Sequence, residues 1–233
     1  MNGNKTTVDS SSLKELLKSL RTGGVSLVEN DSFVGMEIAL YTILTYARVK
    51  GLKVTVEDMF DTFPVYMKHL EIMGLNVKLD DVNIIKVGGT RKLGNTILRI
   101  DPNEDPSVYV RKLERALRDG GRHLYLNVGL ERYLAFQGSF NSVYPLIQAV
   151  TSNLGANERF NIYVVDIPVL RDLEIDPLPL LEEMATSVLL LEGRGDYMRV
   201  KLKKSYLTLR YGVDEAMVSP TEVVSWVSEL GGG

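Results

Sequence analysis

Val25-Ser26-Leu27-Val28-Glu29-Asn30-Asp31-Ser32-Phe33-Val34-Gly35-Met36-Glu37-Ile38-Ala39-Leu40 has the layout of a phosphate-binding loop: an apolar strand, a turn, then a helix with Met36, Ala39, Leu40, Ile43, Leu44 and Ala47 at helical spacing. Laid on G-x-x-x-x-G-K-[ST], it keeps only the second glycine, Gly35. Asn30 stands at the first glycine, Met36 at the lysine that would reach the β/γ-phosphates, and Glu37 at the hydroxyl that would hold Mg²⁺. A carboxylate at that position repels phosphate. The stretch therefore implies a nucleotide-hydrolase scaffold without the groups that hydrolysis requires.

Working outward, strand-like and helix-like segments alternate. Leu52–Val56 reads as a strand, Pro64 lies in the first turn of a helix ending at Gly74, and Val82–Val87 is the next strand. The glycine-rich connection Gly88–Asn95 leads to a short strand Thr96–Ile100, and residues 84–100 read as a hairpin. Pro106 opens a helix through Leu117, His123–Val128 is a buried strand, a helix is expected around Ser142–Asn153, and Asn161–Val165 is a strongly apolar strand. A short helix follows Pro177 and Pro179, and then three runs, Val188–Leu191, Tyr197–Leu202 and Tyr206–Tyr211, are spaced for antiparallel hairpins. Capping boxes at Ser12–Glu15 and Ser219–Glu222 precede the first and last helices, with Leu13, Leu16, Leu17 and Leu20 as the first apolar stripe. The expectation is one three-layer α/β domain over residues 12–230 behind a polar tail, with a mostly parallel sheet, helices on both faces and antiparallel strands at the end.

Composition excludes several chemistries. The 233 residues contain no cysteine and two histidines, His69 and His123, which rules out disulfides, zinc–thiolate and iron–sulfur sites, cysteine nucleophiles and a histidine-rich metal centre. A formal charge of -3 argues against a nucleic-acid coat or a polybasic anchor. No run reaches the ~18 apolar residues of a membrane helix, and the polar amino terminus has no apolar signal core, so a soluble cytoplasmic protein is expected. Ser32, Ser139 and Ser142 have no G-x-S-x-G setting.

A strand with a phosphate-loop position, then Val54-Thr55-Val56-Glu57-Asp58, then a helix ending in Met73-Gly74-Leu75-Asn76, resembles the RecA/KaiC class of ATPases. The resemblance implies that Glu57 and Asp58 stand where catalytic carboxylates polarise water, and that His123–Val128 is the Walker B strand. Lys201-Leu202-Lys203 then stands where a K-x-R finger reaches a neighbouring subunit. More narrowly, Ile84–Thr90, Leu93-Gly94-Asn95 and Glu57–Thr62 resemble a Pyrococcus/Thermococcus family of unknown function, over roughly residues 10 to 215. That implies a hot, reducing archaeal cytoplasm. Asn127 departs from the Walker B aspartate, and an amide cannot supply its charge.

Each candidate site has a structural alternative. Glu57 and Asp58 form either an acidic centre with Asp31 and Asp166 at the carboxyl ends of the strands, or helix caps, which is the favoured reading. Gly88, Gly89 and Gly94 with Lys86, Arg91 and Lys92 form either an anion nest or, as favoured, a hairpin turn. Met59, Phe60, Phe63, Tyr66 and Met67 form either core, as favoured, or a soft surface for a peptide, although the cluster is too large to be wholly internal. Arg199, Lys201 and Lys203 read as one solvated face of a strand, in a region RecA relatives use at subunit contacts.

The leading expectation is a catalytically degenerate RecA/KaiC-like domain that binds a protein or peptide, or assembles with itself, through the Met59–Met67 surface or a C-terminal strand edge. No cofactor or metal is expected, and nucleotide, nucleic acid and membrane are not expected partners. The rival is an atypical nucleotide-binding ATPase or sensor in which Asn30, Ser32 and Gly35 supply donors and Glu57 and Asp58 act as base or metal ligands, with Asp31, Asn127 and Asp166 as further ligand-binding candidates. A DNA-associated accessory is a third reading, which steep salt dependence of binding would mark.

Overall fold

The computed structural model describes residues 20–32, 35–118, 121–138, 140–171, 173–174, 176–206 and 215–231. The expected first helix, apart from Leu20, and the expected strand beyond Tyr206 lie outside them, as do Ser139 and the side chain of Ser142.

The strands are β1 (Val25–Asp31), β2 (Lys53–Met59), β3 (Val82–Val87), β4 (Asn95–Ile100), β5 (His123–Val128), β6 (Arg159–Asp166), β7 (Ser187–Arg194), β8 (Tyr197–Ser205) and β9 (Glu215–Val218). The helices are α1 (Gly35–Val49), α2 (Thr62–Ile72), α3 (Pro106–Ala116), α4 (Leu130–Gln137), α5 (Phe140–Thr151), α6 (Ile167–Arg171), α7 (Leu178–Met184) and α8 (Pro220–Gly231). The strands form one sheet in the order β4-β3-β2-β5-β6-β1-β7-β8-β9. It is parallel from β4 through β7, and β8 and β9 add antiparallel.

Near-continuous apolar strands bury both faces of a parallel sheet, and the two faces form separate cores. One holds Val28, Val56, Leu126 and Val164 under α1, α2 and α8; the other holds Leu27, Met59, Tyr125 and Val165 under α3 to α7. Side chains alternate along each strand, so odd and even positions report to different layers. The last helix starts as its sequence dictates: Ser219 Oγ accepts from Glu222 N at 3.2 Å and Glu222 Oε2 accepts from Ser219 N at 3.1 Å.

Several elements differ from the sequence reading, among them the short helix α6, which it did not contain. Residues 84–100 are not a hairpin, because β3 and β4 pair in parallel, Asn83 with Asn95 and Val87 with Ile100. Residues 88–94 run back along the strand instead; a chain of that length reaches ~25 Å when extended, against ~20 Å for a six-residue strand. The helix α4 was not anticipated, although Leu130, Tyr133 and Leu134 show its apolar spacing and are buried. Nor was β9, which pairs with β8 along Val200–Ala216.

Candidate active site

At the carboxyl end of β1, Asn30 is buried, and its Nδ2 donates to Ser32 O at 2.9 Å and to Asp166 Oδ1 at 2.6 Å. Tyr66 on α2 donates its hydroxyl to the other oxygen of Asp166, also at 2.6 Å. A Cβ at position 35 would run into Asn30 Oδ1, so only glycine permits this close approach of loop and helix. Met36 is buried in the core, and Glu37, also buried, meets His69 Nδ1 at 2.7 Å. The amino end of α1, where this fold would receive an anion, therefore carries its own carboxylate beside an imidazole.

Glu57 and Asp58 do not form one centre. As neighbours on β2 they point to opposite faces of the sheet. Glu57 lies in the α3–α5 layer, where Tyr109 donates at 2.7 Å, Asn127 donates at 2.6 Å from the opposing position on β5, and Tyr125 donates as well. Burial pushes its carboxyl above the usual range, against the pull of those three donors. Asp58 faces the other layer, caps the first turn of α2 through Phe63 N at 2.9 Å, and meets Lys86 Nζ at 2.6 Å. The capping alternative is thus correct for Asp58; Glu57 belongs to an internal network. Replacing Tyr125 by Phe is expected to cost about 1–3 kcal/mol in chemical denaturation, the penalty of a buried carboxyl losing a donor. A neutral result would separate Tyr125 from that network.

The glycine-rich connection is a nest, and its anion is internal. Asp61 accepts from Thr90 N at 2.8 Å and Arg91 N at 3.0 Å, and pairs with Lys86. Burial works upward on the Asp61 carboxyl, but Lys86 and the two amides outweigh it and hold the carboxyl below its usual range. A Cβ on Gly89 would stand 2.6 Å from Asp61 Cγ. Phe60 and Asp61 are both left-handed, at φ 54° and 60°, strain on the order of 1 kcal/mol or more each that the Asp61 bonds offset.

The remaining expected site residues divide. Asn30 and Asp166 come together, with Tyr66 and α4 beside them, whereas Asn127 joins Glu57 in the opposite layer. Asp31 turns to Arg171 at 3.4 Å, and Ser32 contributes its carbonyl rather than a donor. Met59, Phe63 and Tyr66 are core residues, which removes them from a peptide surface; Phe60 and Met67 remain part-exposed. Lys203 folds back onto Glu29 at 2.9 Å and onto Glu182, so this ammonium is held within its own chain, while Lys201 stays part-exposed on the strand. Burial raises the Glu29 carboxyl to about 7 despite Lys203.

Glu131 was not anticipated. It sits in the first turn of α4, 1% exposed, beside Asp166, with Arg132 Nε 3.7 Å away. Burial, then the Asp166 charge, raise its carboxyl to about 8. Its only sequence signal was an acid at the start of an overlooked helix. Among the described residues no three His, Asp or Glu side chains are grouped to hold a metal, and no helix is long and apolar enough to cross a membrane.

A parallel sheet with helices on both faces, an antiparallel extension and a strand–turn–helix unit at its centre defines a RecA/KaiC-like α/β domain. The chain belongs to the family described as Pyrococcus protein of unknown function, DUF257, whose model matches residues 15–213. The solved structure of PH0250 from Pyrococcus horikoshii OT3 is 27% identical, with TM-score 0.72 over 90% of this chain and 98% of that one. The KaiC-like protein PH0186 of the same organism shares the fold at 11% identity, TM-score 0.60, over 85% of this chain and 89% of its own. The flagellar accessory protein FlaH of Methanocaldococcus jannaschii does so at 12% identity, TM-score 0.61, over 91% of each chain. No curated protein matches.

Proposed function

We propose that this chain is a RecA/KaiC-like domain that has left nucleotide hydrolysis and serves as a protein-binding or self-assembly module. One observation carries the first half: the buried pair at the start of α1, Met36 in the core and Glu37 against His69, occupies the positions of the phosphate-binding lysine and hydroxyl. Phosphate would meet a carboxylate instead of an ammonium. The separation of Glu57 from Asp58 supports the same reading, since a water-polarising pair must converge on one substrate. The open groove lined by Pro64, Met67, Leu75, Val77, Leu79 and Leu93 supports the binding half.

Thermal unfolding with ATP, ADP and GTP, with and without Mg²⁺, tests the first half. A ligand at one hundred times its Kd adds about 2.7 kcal/mol, some 5–10 °C for a chain of this size at roughly 2–4 °C per kcal/mol. No shift is expected. A shift of that size would restore the nucleotide-sensor reading, without Glu57 and Asp58 as a pair. Light scattering and peptide titration test the second half, which a strict monomer binding no peptide would overturn.

A further inference from the structure

The sheet order sets β1 beside β6, and the helices that follow these strands go to opposite faces: α1 covers the layer of Val28 and Val164, whereas α6 and α7 lie in the layer of Leu27 and Val165. Neighbouring strands that part in this way leave a crevice at their carboxyl ends, where open α/β sheets take ligands. Asn30 and Asp166 are the last register pair of the two strands, and Glu131 lies beside Asp166 in the first turn of α4. Polar atoms here are unevenly served. Both hydrogens of the Asn30 amide are used, on Ser32 O at 2.9 Å and Asp166 Oδ1 at 2.6 Å, which leaves its Oδ1 without a donor in the turn beside Gly35. Glu131 Oε2 also has no hydrogen-bond partner among the described residues, Arg132 standing 3.7 Å from the other oxygen. Asn30 is 5% exposed and Glu131 1%. Asp166 accepts hydrogen bonds from the Asn30 amide and the Tyr66 hydroxyl, both neutral. One crevice thus holds two buried acceptors without donors and a carboxylate bonded to no cation among the described residues, a combination that buried polar groups rarely tolerate.

We infer that the crevice between β1 and β6 binds the primary ammonium group of a small organic amine, with N–H donors to Asn30 Oδ1 and Glu131 Oε2 and its charge beside Asp166. The inference goes beyond the protein-binding reading and does not depend on it. An ammonium brings three donors and one positive charge, whereas phosphate brings acceptors to a site already rich in them, and water brings no charge. A metal ion is the poorer occupant, because no three His, Asp or Glu side chains among the described residues are grouped to hold one. Charge favours a cation once Glu131 is ionised: Glu37, Asp166 and Glu131 then face Arg132 and, through Tyr66, His69, so one carboxylate is unmatched even with the imidazole charged. Asp31 at the rim is matched by Arg171. Burial and the Asp166 charge keep a proton on Glu131 up to about pH 8, so below that pH the arriving ammonium displaces this proton to solvent and the carboxylate takes its N–H in exchange.

Calorimetric titration of the full chain with n-butylamine, putrescine and spermidine, each beside n-butyltrimethylammonium, tests this. At least one primary amine is expected to bind, and the trimethylated cation, which keeps the charge but has no N–H, to bind about tenfold more weakly or worse. Titrations in buffers of different ionisation heat are expected to show a proton released at pH 7, and the affinity to rise toward pH 9. Glu131→Gln is expected to abolish both the proton release and the rise, and Asp166→Asn to weaken binding about tenfold; a single cooperative melt for each variant shows that it folds. The comparison of the two cations needs no variant at all. Equal binding of the amine and its trimethylated form would mean unspecific attraction of cations and overturn the site. Amine binding that keeps its proton release in Glu131→Gln, or its strength in Asp166→Asn, would place the amine elsewhere and overturn it too. No binding of any amine would leave the two acceptors to water and overturn the inference, while the loss of phosphate binding stands or falls separately with the nucleotide melts.

Discussion

Lys86→Met is expected to lower the melting temperature by on the order of 10 °C. Lys86 is 1% exposed and opposes Asp58 in the β2–β3 register, with Nζ 2.6 Å from the Asp58 carboxylate and a second partner in Asp61. Those partners in turn hold Phe63 N at the start of α2 and Thr90 and Arg91 N in the returning loop. One ammonium thus ties two strands, a helix terminus and a connection. Methionine keeps much of the volume but leaves Asp58 a buried carboxylate without a cation, a change that costs about 3–5 kcal/mol, or 2–4 °C per kcal/mol at this chain length. Adding Asp58→Asn removes the stranded charge, and the pair is expected to regain much of the loss in a double-mutant cycle. A single Lys86→Met variant that melts within a degree or two of the parent would show that the clasp does not carry the loop.

Glu131→Gln is expected to stabilise the protein, and only at high pH. The folded carboxyl is raised to about 8 from an ordinary 4.5. Between those values the unfolded chain gives up a proton that the folded chain keeps, so stability contributed by this group falls as pH rises, by about 1.4 kcal/mol per pH unit. Below pH 4.5 both states hold the proton and the effect is absent; above 8 it is complete, with a ceiling of about 5 kcal/mol from 3.5 units. Glutamine cannot ionise. The variant should match the parent near pH 5, exceed it increasingly toward pH 8, and hold a constant advantage beyond. Urea denaturation at pH 5, 7 and 9 reads this directly; equal differences at all three would remove Glu131 as the source of the pH dependence.

The candidate site was partly legible before the structure. That no lysine or hydroxyl stands at the phosphate-loop positions was readable at Met36 and Glu37, because a motif assigns each position a charge or hydroxyl that can be checked residue by residue. The divergence of Glu57 and Asp58 was obscured by one boundary: with β2 ended at Val56 the two acids belong to a loop, but with the strand continued to Met59 they must face opposite layers. The soft cluster misled for a related reason. Met59 and Phe63 are apolar at spacing that suits a surface or a core, and only the sheet beneath them decides for the core.

Local order followed from the chain itself. The apolar strand into a helix at Gly35, the helix behind Pro106 and the reciprocal cap of Ser219 and Glu222 all arise from interactions within a few residues, which sequence spacing encodes. What tertiary structure alone decided is which distant segments lie side by side. The parallel return of β4, the Lys86–Asp58 pair, the donors around Glu57 and the proton held at Glu131 each depend on strand order and on burial. Desolvation and cross-strand contact are properties of neighbours in space, and spacing along the chain does not contain them.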